Sequence, residues 1–487
     1  MNPHPLLLDP LWSGFGLVAP LQARVSGTMP EGATGISIDT RTLNAGDLFF
    51  AITGDNSNGH DHVAQAFENG AAAAVVDEAH AQRLRGLGPL YVVADVLAAM
   101  QHLGLASRSR TGARIAAVTG SVGKTSTKDA LALVLASHGA THASAASYNN
   151  HWGVPLTLAR MPQASRFGVF EIGMNHAGEI TPLVAMVQPH VAIITTIAPV
   201  HLEHFGSLEA IAQAKAEIFS GMARGGVAII NRDNAQYQLL QDAARASPAR
   251  HVLSFGAHEE AEARLESVEV FPEGTYVHAD VLGQRLRYRM AAPGRHFAEN
   301  SLAVLLAARA MGMDLAKAAQ ALEQFRPAAG RGQRAVLQTP QGPFTLIDES
   351  YNANPASMRA ALAVLGRLGL DGTGRRIAVL GDMLELGRDE NTLHAELSQV
   401  IDDEKIDLVF AAGPRMRHLY EALPVPVQGG WAASADLLQA IVADAVRAGD
   451  VVMVKGSNGS RMGPLVKALA GNFSPTADGG QAPPQAS

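Results

Sequence analysis

Residues 115–130 read IAAVTGSVGKTSTKDA. Ile115–Thr119 is a short β-type run that passes straight into a glycine turn and then into the helical stretch Ser126–Ser137. In such a unit the glycines let the backbone curl until successive N–H groups point at phosphate oxygens, and the helix N-terminus adds a favourable dipole. Gly120, Ser121, Val122, Gly123 and Ser126 make the loop. Lys124 supplies a mobile positive charge for the β- and γ-phosphates of a nucleotide, and the Thr125 hydroxyl is a ligand for Mg²⁺. The early glycine of the general G-x-x-x-x-G-K-[ST] pattern falls at Val118, so only the shorter G-x-x-G-K-T is present. A plain glycine turn before a helix is the competing explanation. The strand–loop–helix context favours a phosphate loop.

The same rhythm continues outward. Val169–Ile172, Val191–Ile197 and Val227–Ile230 are strand-like runs with helical patterns between them. Strands alternating with helices predict a doubly wound parallel sheet. FRPAAGRGQR (325–334) interrupts with Pro and Gly, after which Thr345–Ile347, Ile377–Leu380, Leu408–Ala411 and Val451–Val454 repeat the pattern. Ahead of the loop, Leu48–Ile52, Ala71–Val76 and Tyr91–Ala94 read as strands separated by Gly, Asn and Asp. The expected class is α/β in three domains. A small N-terminal α/β domain spans 1–97, a central P-loop ATPase-like parallel-sheet domain 98–327, and a C-terminal Rossmann-like α/β domain 328–473. The low-complexity stretch 474–487 is expected to be a disordered tail.

The 487 residues fit about three domains of roughly 150 residues each. With 47% hydrophobic and 17% charged residues the chain has ample core and is not of disordered type. The net charge of −7, without a long basic run, argues against nucleic acid or an anionic membrane as partner. Cysteine is absent, which excludes disulfides, thiol nucleophiles and Cys-ligated metals and fits a reducing compartment. MNPHPLLLDP lacks the basic region of a signal peptide, and no apolar run reaches the length of a membrane span.

Two further residue types stand out. Glu171 ends an apolar run, and a carboxylate at a strand's C-terminal edge lies on the ligand side of an open α/β sheet. Oxygen ligands suit Mg²⁺; an exposed strand-end carboxylate is the alternative. In SLEAIAQAKAEIFSGM (207–222), Ile211, Lys215, Ile218, Phe219 and Met222 fall on one helical stripe. A Lys inside an apolar stripe either snorkels to water or is buried with a lowered pKa. A neutral buried amine can add CO₂ and become a carbamate.

TGSVGKTSTKD, together with YNNHWGVPLTL (148–158), FEIGMNHAGEI (170–180) and DESYNANPASM (348–358), resembles the Mur ligase family over about residues 20–470. These are ATP-dependent enzymes that build the peptide of the peptidoglycan precursor, and hence serve cell-wall biogenesis, cell shape and division. The resemblance implies a cytoplasmic, monomeric ligase joining UDP-N-acetylmuramoyl-tripeptide to D-alanyl-D-alanine, with ATP and two Mg²⁺ ions. It implies that Glu171, Thr125 and His201 bind Mg²⁺; His201, in HLEHFG, fits the family's H-L-x-x-F/Y-G where His204 does not. It further implies that Lys215 is carbamylated and helps hold the second ion. Asn300, with His296 nearby in GRHFAENSLAV, is implied to read adenine; Arg331 reaches the γ-phosphate and Asp348 the ribose. Ser37, Asp39, Thr40 and Arg41 match the uridine-nucleotide segment. Asn149, Asn150, Asn175 and His176 match positions near the muramoyl-peptide, and Asn352, Asn354, Lys455 and Ser457 positions facing the dipeptide. A family ligase adding another amino acid, and a P-loop switch or motor of a different class, are the alternatives to be separated by substrate.

Overall fold

The apolar runs of the sequence become buried strands in three large sheets. The structure, a computed structural model, describes residues 10–475 apart from 55, 56, 146, 201, 272 and 371. In the first sheet β1 (Arg24–Ser26), β2 (Gly35–Ser37), β3 (Asp47–Phe50), β4 (Ala73–Asp77) and β5 (Leu90–Val93) stand in the order β1-β5-β4-β3-β2. All contacts are parallel except β1 with β5. Helix α1 (Val96–Arg110) crosses the expected boundary at residue 97. Its Val96, Ala99, Met100 and Leu103 pack into the same core as Leu48, Phe50 and Val75, so the first block's core extends past that boundary.

The central sheet holds β6 (Arg114–Thr119), β7 (Thr141–Ala143), β8 (Phe167–Glu171), β9 (Val191–Ile194), β10 (Val227–Asn231), β11 (His251–Gly256), β12 (Ala263–Phe271), β13 (Gly274–Val281) and β14 (Gln284–Met290). Their order is β14-β13-β12-β11-β10-β9-β6-β8-β7. The strands from β7 to β12 are parallel as expected, but β12, β13 and β14 form an antiparallel extension. The sheet is thus parallel around β6 and antiparallel only at its far edge. The cause is legible: in β14 Leu286, Tyr288 and Met290 are buried while Arg285 and Arg287 are exposed, the period-2 pattern of a sheet covered on one face. By contrast β6 is buried on both faces. Ala116 and Val118 face one core, with Leu131, Leu302 and Leu305; Ile115 and Ala117 face another, with Ile180 and Ile211. Because β8 and β9 flank β6 on opposite sides, the strand order reverses there, and the C-terminal ends of β6, β8 and β9 open a crevice.

The third sheet comprises β15 (Gln333–Thr339), β16 (Gly342–Glu349), β17 (Arg376–Gly381), β18 (Leu408–Ala412), β19 (Gln428–Ala432), β20 (Val451–Lys455) and β21 (Ser474–Pro475), in the order β19-β18-β17-β20-β16-β15-β21. Parallel pairing places Glu349 opposite Lys455 at the strand ends. Within the stretch expected to be a tail, Ser474 and Pro475 pair with β15; residues 476–487 lie outside those described. Among the described residues no helix is long and apolar enough to cross a membrane.

Candidate active site

The loop after β6 needs both of its glycines. Gly120 and Gly123 have φ of +145° and +87°, a region that strains L side chains. A Cβ at Gly120 would meet Thr195 Oγ1 at 2.0 Å, and one at Gly123 would meet Asn300 Nδ2 at 2.6 Å. The loop is pinned to the segment after β9: Ser121 N–H donates to the Thr196 carbonyl (2.8 Å) and Thr195 Oγ1 to that of Val122 (2.6 Å). Val118 sits inside β6, so the strand continues where the general motif has its first glycine. Helix α2 (Lys124–Ala136) starts at Lys124, two residues before the expected start, and no side chain caps it. Its first N–H groups are the donors a phosphate would take. Lys124 Nζ bends back to donate to the Gly120 carbonyl (2.7 Å). Burial draws its pKa below the usual lysine range, with Glu171 acting against that shift and Arg331 with it.

Glu171 is 1% exposed and holds the centre of the crevice. It accepts from Thr125 Oγ1 and from Asn149 Nδ2, both at 2.7 Å. Thr125 Oγ1 also lies 3.3 Å from Ser147 Oγ, which accepts from Arg331 at 3.1 Å. A charged, dry oxygen set of this kind fits Mg²⁺. Lys215 lies on α3 (Leu208–Ala216) and is 1% exposed, so it does not snorkel. The helix ends at Ala216, and a 3₁₀ turn (Glu217–Phe219) carries Ile218 and Phe219 on; Met222 follows outside any helix, yet all three are buried. No carboxylate pairs with Lys215 among the described residues. Burial first, and the charge of Lys124 second, push its pKa well below the usual lysine range. His201 lies outside the described residues.

Arg331, Tyr351, Glu349 and Lys455 close the crevice from the third sheet into a cleft of about 540 Å³. The Arg331 guanidinium stacks 3.9 Å from the Tyr351 ring centroid. Lys455, 2% exposed, donates to Glu349 Oε2 (3.3 Å) and to the Asn352 carbonyl (3.0 Å). His296 lines the same cleft; burial lowers its pKa, Glu349 opposing and Lys455 assisting. Asp348 is not among the lining residues. Its carboxylate is engaged by the Gly330 N–H (2.8 Å) and by Ser350 Oγ (2.6 Å), fixing the linker turn that presents Arg331. A smaller cavity of about 260 Å³ adjoins, between Lys124 and the loops bearing Asn352, Asn354 and Ser457. There Asn354 caps helix α4 (Pro355–Gly366), and Ser457 Oγ donates to the Ala353 carbonyl (3.1 Å).

Not every expected residue reaches this cleft. Ser37, Asp39, Thr40 and Arg41 sit together on the first block, where Asp39 takes a bidentate bond from the exposed Arg41 and Ser37 Oγ donates to the Asp39 carbonyl. Asn150 accepts from the N–H of Gly153 (2.9 Å), the first residue of a short helix. Asn175 lines the cleft rim, while His176 pairs with Glu179 at its exposed edge. Ser147 and Tyr351 were not singled out from sequence; Ser147 immediately precedes the quoted YNNHWGVPLTL and Tyr351 lies inside DESYNANPASM, which is the signal that marks them.

Family models match along the chain: the Mur ligase family catalytic domain over residues 33–107, the Mur ligase middle domain over 118–308 and the Mur ligase glutamate ligase domain over 330–458. The chain is 31% identical to a Rickettsia prowazekii protein named UDP-N-acetylmuramoyl-tripeptide–D-alanyl-D-alanine ligase, covering 94% of this chain and 99% of that one. It is 34% identical to the Bacillus subtilis protein of the same name, covering 89% and 93%. A crystal structure of MurF from Acinetobacter baumannii superposes with a TM-score of 0.80 at 29% identity, covering 95% and 99%.

Proposed function

The chain belongs to the Mur ligase family, and from that premise we propose that it is an ATP-dependent, ADP-forming ligase joining D-alanyl-D-alanine to UDP-N-acetylmuramoyl-tripeptide in peptidoglycan precursor synthesis. The observation that carries this is the two-sided cleft: a phosphate loop and a buried carboxylate from one sheet face a guanidinium and an ammonium supplied by another.

A carboxylate does not acylate an amine at neutral pH, because hydroxide leaves too poorly. One carboxylate oxygen of the tripeptide therefore attacks the γ-phosphorus, the bond to the bridging oxygen breaks, and ADP leaves. The dipeptide amine then attacks the acyl carbon, gives up its proton, and expels phosphate with the former carboxylate oxygen. Such phosphoryl transfer needs placement and charge neutralisation more than covalent help. The N-terminus of α2 cradles the phosphates, Lys124 offsets their charge, and Arg331, braced by Tyr351 and Ser147, meets the γ-phosphate. Thr125 and Glu171 would hold Mg²⁺, which when bound neutralises phosphate charge. Lys215 is proposed as a carbamate: the ammonium first gives up a proton, the neutral amine nitrogen then bonds to the carbon of CO₂ and releases a second proton, and a buried cation has become an anion suited to a second Mg²⁺. Asn352, Asn354 and Ser457 face the incoming dipeptide, and Ser37–Arg41 the uridine nucleotide. The need for ATP supports a cytoplasmic site.

A coupled assay tests this. Phosphate release should require both peptide substrates and match the amide formed; ATP turnover indifferent to either substrate would overturn the proposal.

A further inference from the structure

Lys128 is the second lysine of TGSVGKTSTKD and has no part in the mechanism above. It lies one turn beyond Lys124 on α2 and is 2% exposed. A buried ammonium is costly unless its donors are used. Here Nζ pairs with Asp129 at 2.6 Å and donates to the Ser144 carbonyl at 2.8 Å. Ser144, 3% exposed, follows β7 directly. Its Oγ accepts the backbone N–H of Glu171 at 3.2 Å, and its own N–H donates to the Val169 carbonyl at 3.1 Å. The segment that Ser144 begins carries Ser147, which touches Thr125 and Arg331, and Asn149, which holds Glu171 Oε1. One ammonium thus braces the root of a segment that contacts the candidate metal carboxylate through its backbone N–H and through its side chain.

We propose that Lys128 is a positioning residue for the metal site, acting through Ser144 to fix the Glu171 carboxylate against Thr125. This rests on the nucleotide-site reading above. Removing an outer partner of a metal ligand typically weakens metal binding by about 10–100-fold. Lys128→Met keeps the length and apolar stem but removes the donor; Lys128→Arg keeps a cation. Mn²⁺, which accepts similar oxygen ligands, serves as probe, with ADP present and binding followed by electron paramagnetic resonance.

Lys128→Met should weaken Mn²⁺ binding by about tenfold or more. It should raise the Mg²⁺ concentration for half-maximal turnover similarly, leave the KM for D-alanyl-D-alanine unchanged, and be largely rescued in Lys128→Arg. Should Lys128→Met fail to fold, Ser144→Ala removes only the Oγ acceptor and should shift Mn²⁺ binding in the same direction. A folded Lys128→Met or Ser144→Ala with wild-type Mn²⁺ affinity would overturn the proposal. Failure of the wild type to bind Mn²⁺ with ADP would instead overturn the nucleotide-site reading beneath it.

Discussion

Lys124→Ala is expected to lower ligase turnover by about three orders of magnitude while the protein still folds. The size follows from the place of the charge. Lys124 opens α2 at the point where the backbone N–H groups converge, and its ammonium can swing from the Gly120 carbonyl to a phosphate oxygen over a short distance. In a partly dry cleft such a charge is far stronger than in water, and the transferring phosphoryl group has no other cation of the central sheet's loop to replace it. Folding should be spared, because the ammonium's bonds are to carbonyls of its own loop, at Gly120 and Ser121, rather than to a distant element. Turnover measured as phosphate release, beside a circular dichroism melt, checks both halves. Near-normal turnover would remove Lys124 from the central role.

Lys215→Ala is expected to be nearly inactive yet folded. Lys215 is 1% exposed, Ile211, Ile218 and Phe219 of the same stripe are buried as well, and its ammonium has no acidic partner among the described residues. Several kcal/mol of desolvation therefore oppose the charged form, and loss of the side chain relieves that cost while leaving a small cavity. Stability should change little. Activity should not survive, since the proposed carbamate would supply the anion for the second Mg²⁺. A short added carboxylate filling the gap should restore part of the turnover. ¹³C-labelled bicarbonate should give a carbamate resonance in the wild type and none in Lys215→Ala. A fully active Lys215→Ala, or a wild type showing only the free amine with ATP bound, would reject the carbamate.

What the sequence disclosed depended on range. The phosphate loop was readable because its glycines, Lys124 and Thr125 are consecutive and act through local backbone geometry. Glu171 was readable because the end of an apolar run is also the end of a strand. The antiparallel extension was not, although RLRYRM in β14 alternates as a one-sided strand does, because the helix–strand rhythm around it suggested more of the same. Ser147 and Tyr351 acquire their roles only when Arg331, 184 residues beyond Ser147 in the chain, is folded over the loop. Asp348 shows the converse: a residue marked for the ligand by resemblance spends its carboxylate on Gly330 and Ser350, shaping the turn beside Arg331. For Lys215 the pattern left snorkelling and burial open, and only its burial in the folded chain decides between them.

The central claim is that this cleft activates a carboxylate by phosphorylation, and oxygen tracing tests it most directly. UDP-N-acetylmuramoyl-tripeptide labelled with ¹⁸O in its terminal carboxylate is turned over with ATP and D-alanyl-D-alanine, and the released phosphate is examined by mass spectrometry. Attack of that carboxylate on the γ-phosphorus, followed by loss of phosphate to the amine, carries one labelled oxygen into each phosphate released. Phosphate free of label, with the amide nevertheless formed, would contradict the account.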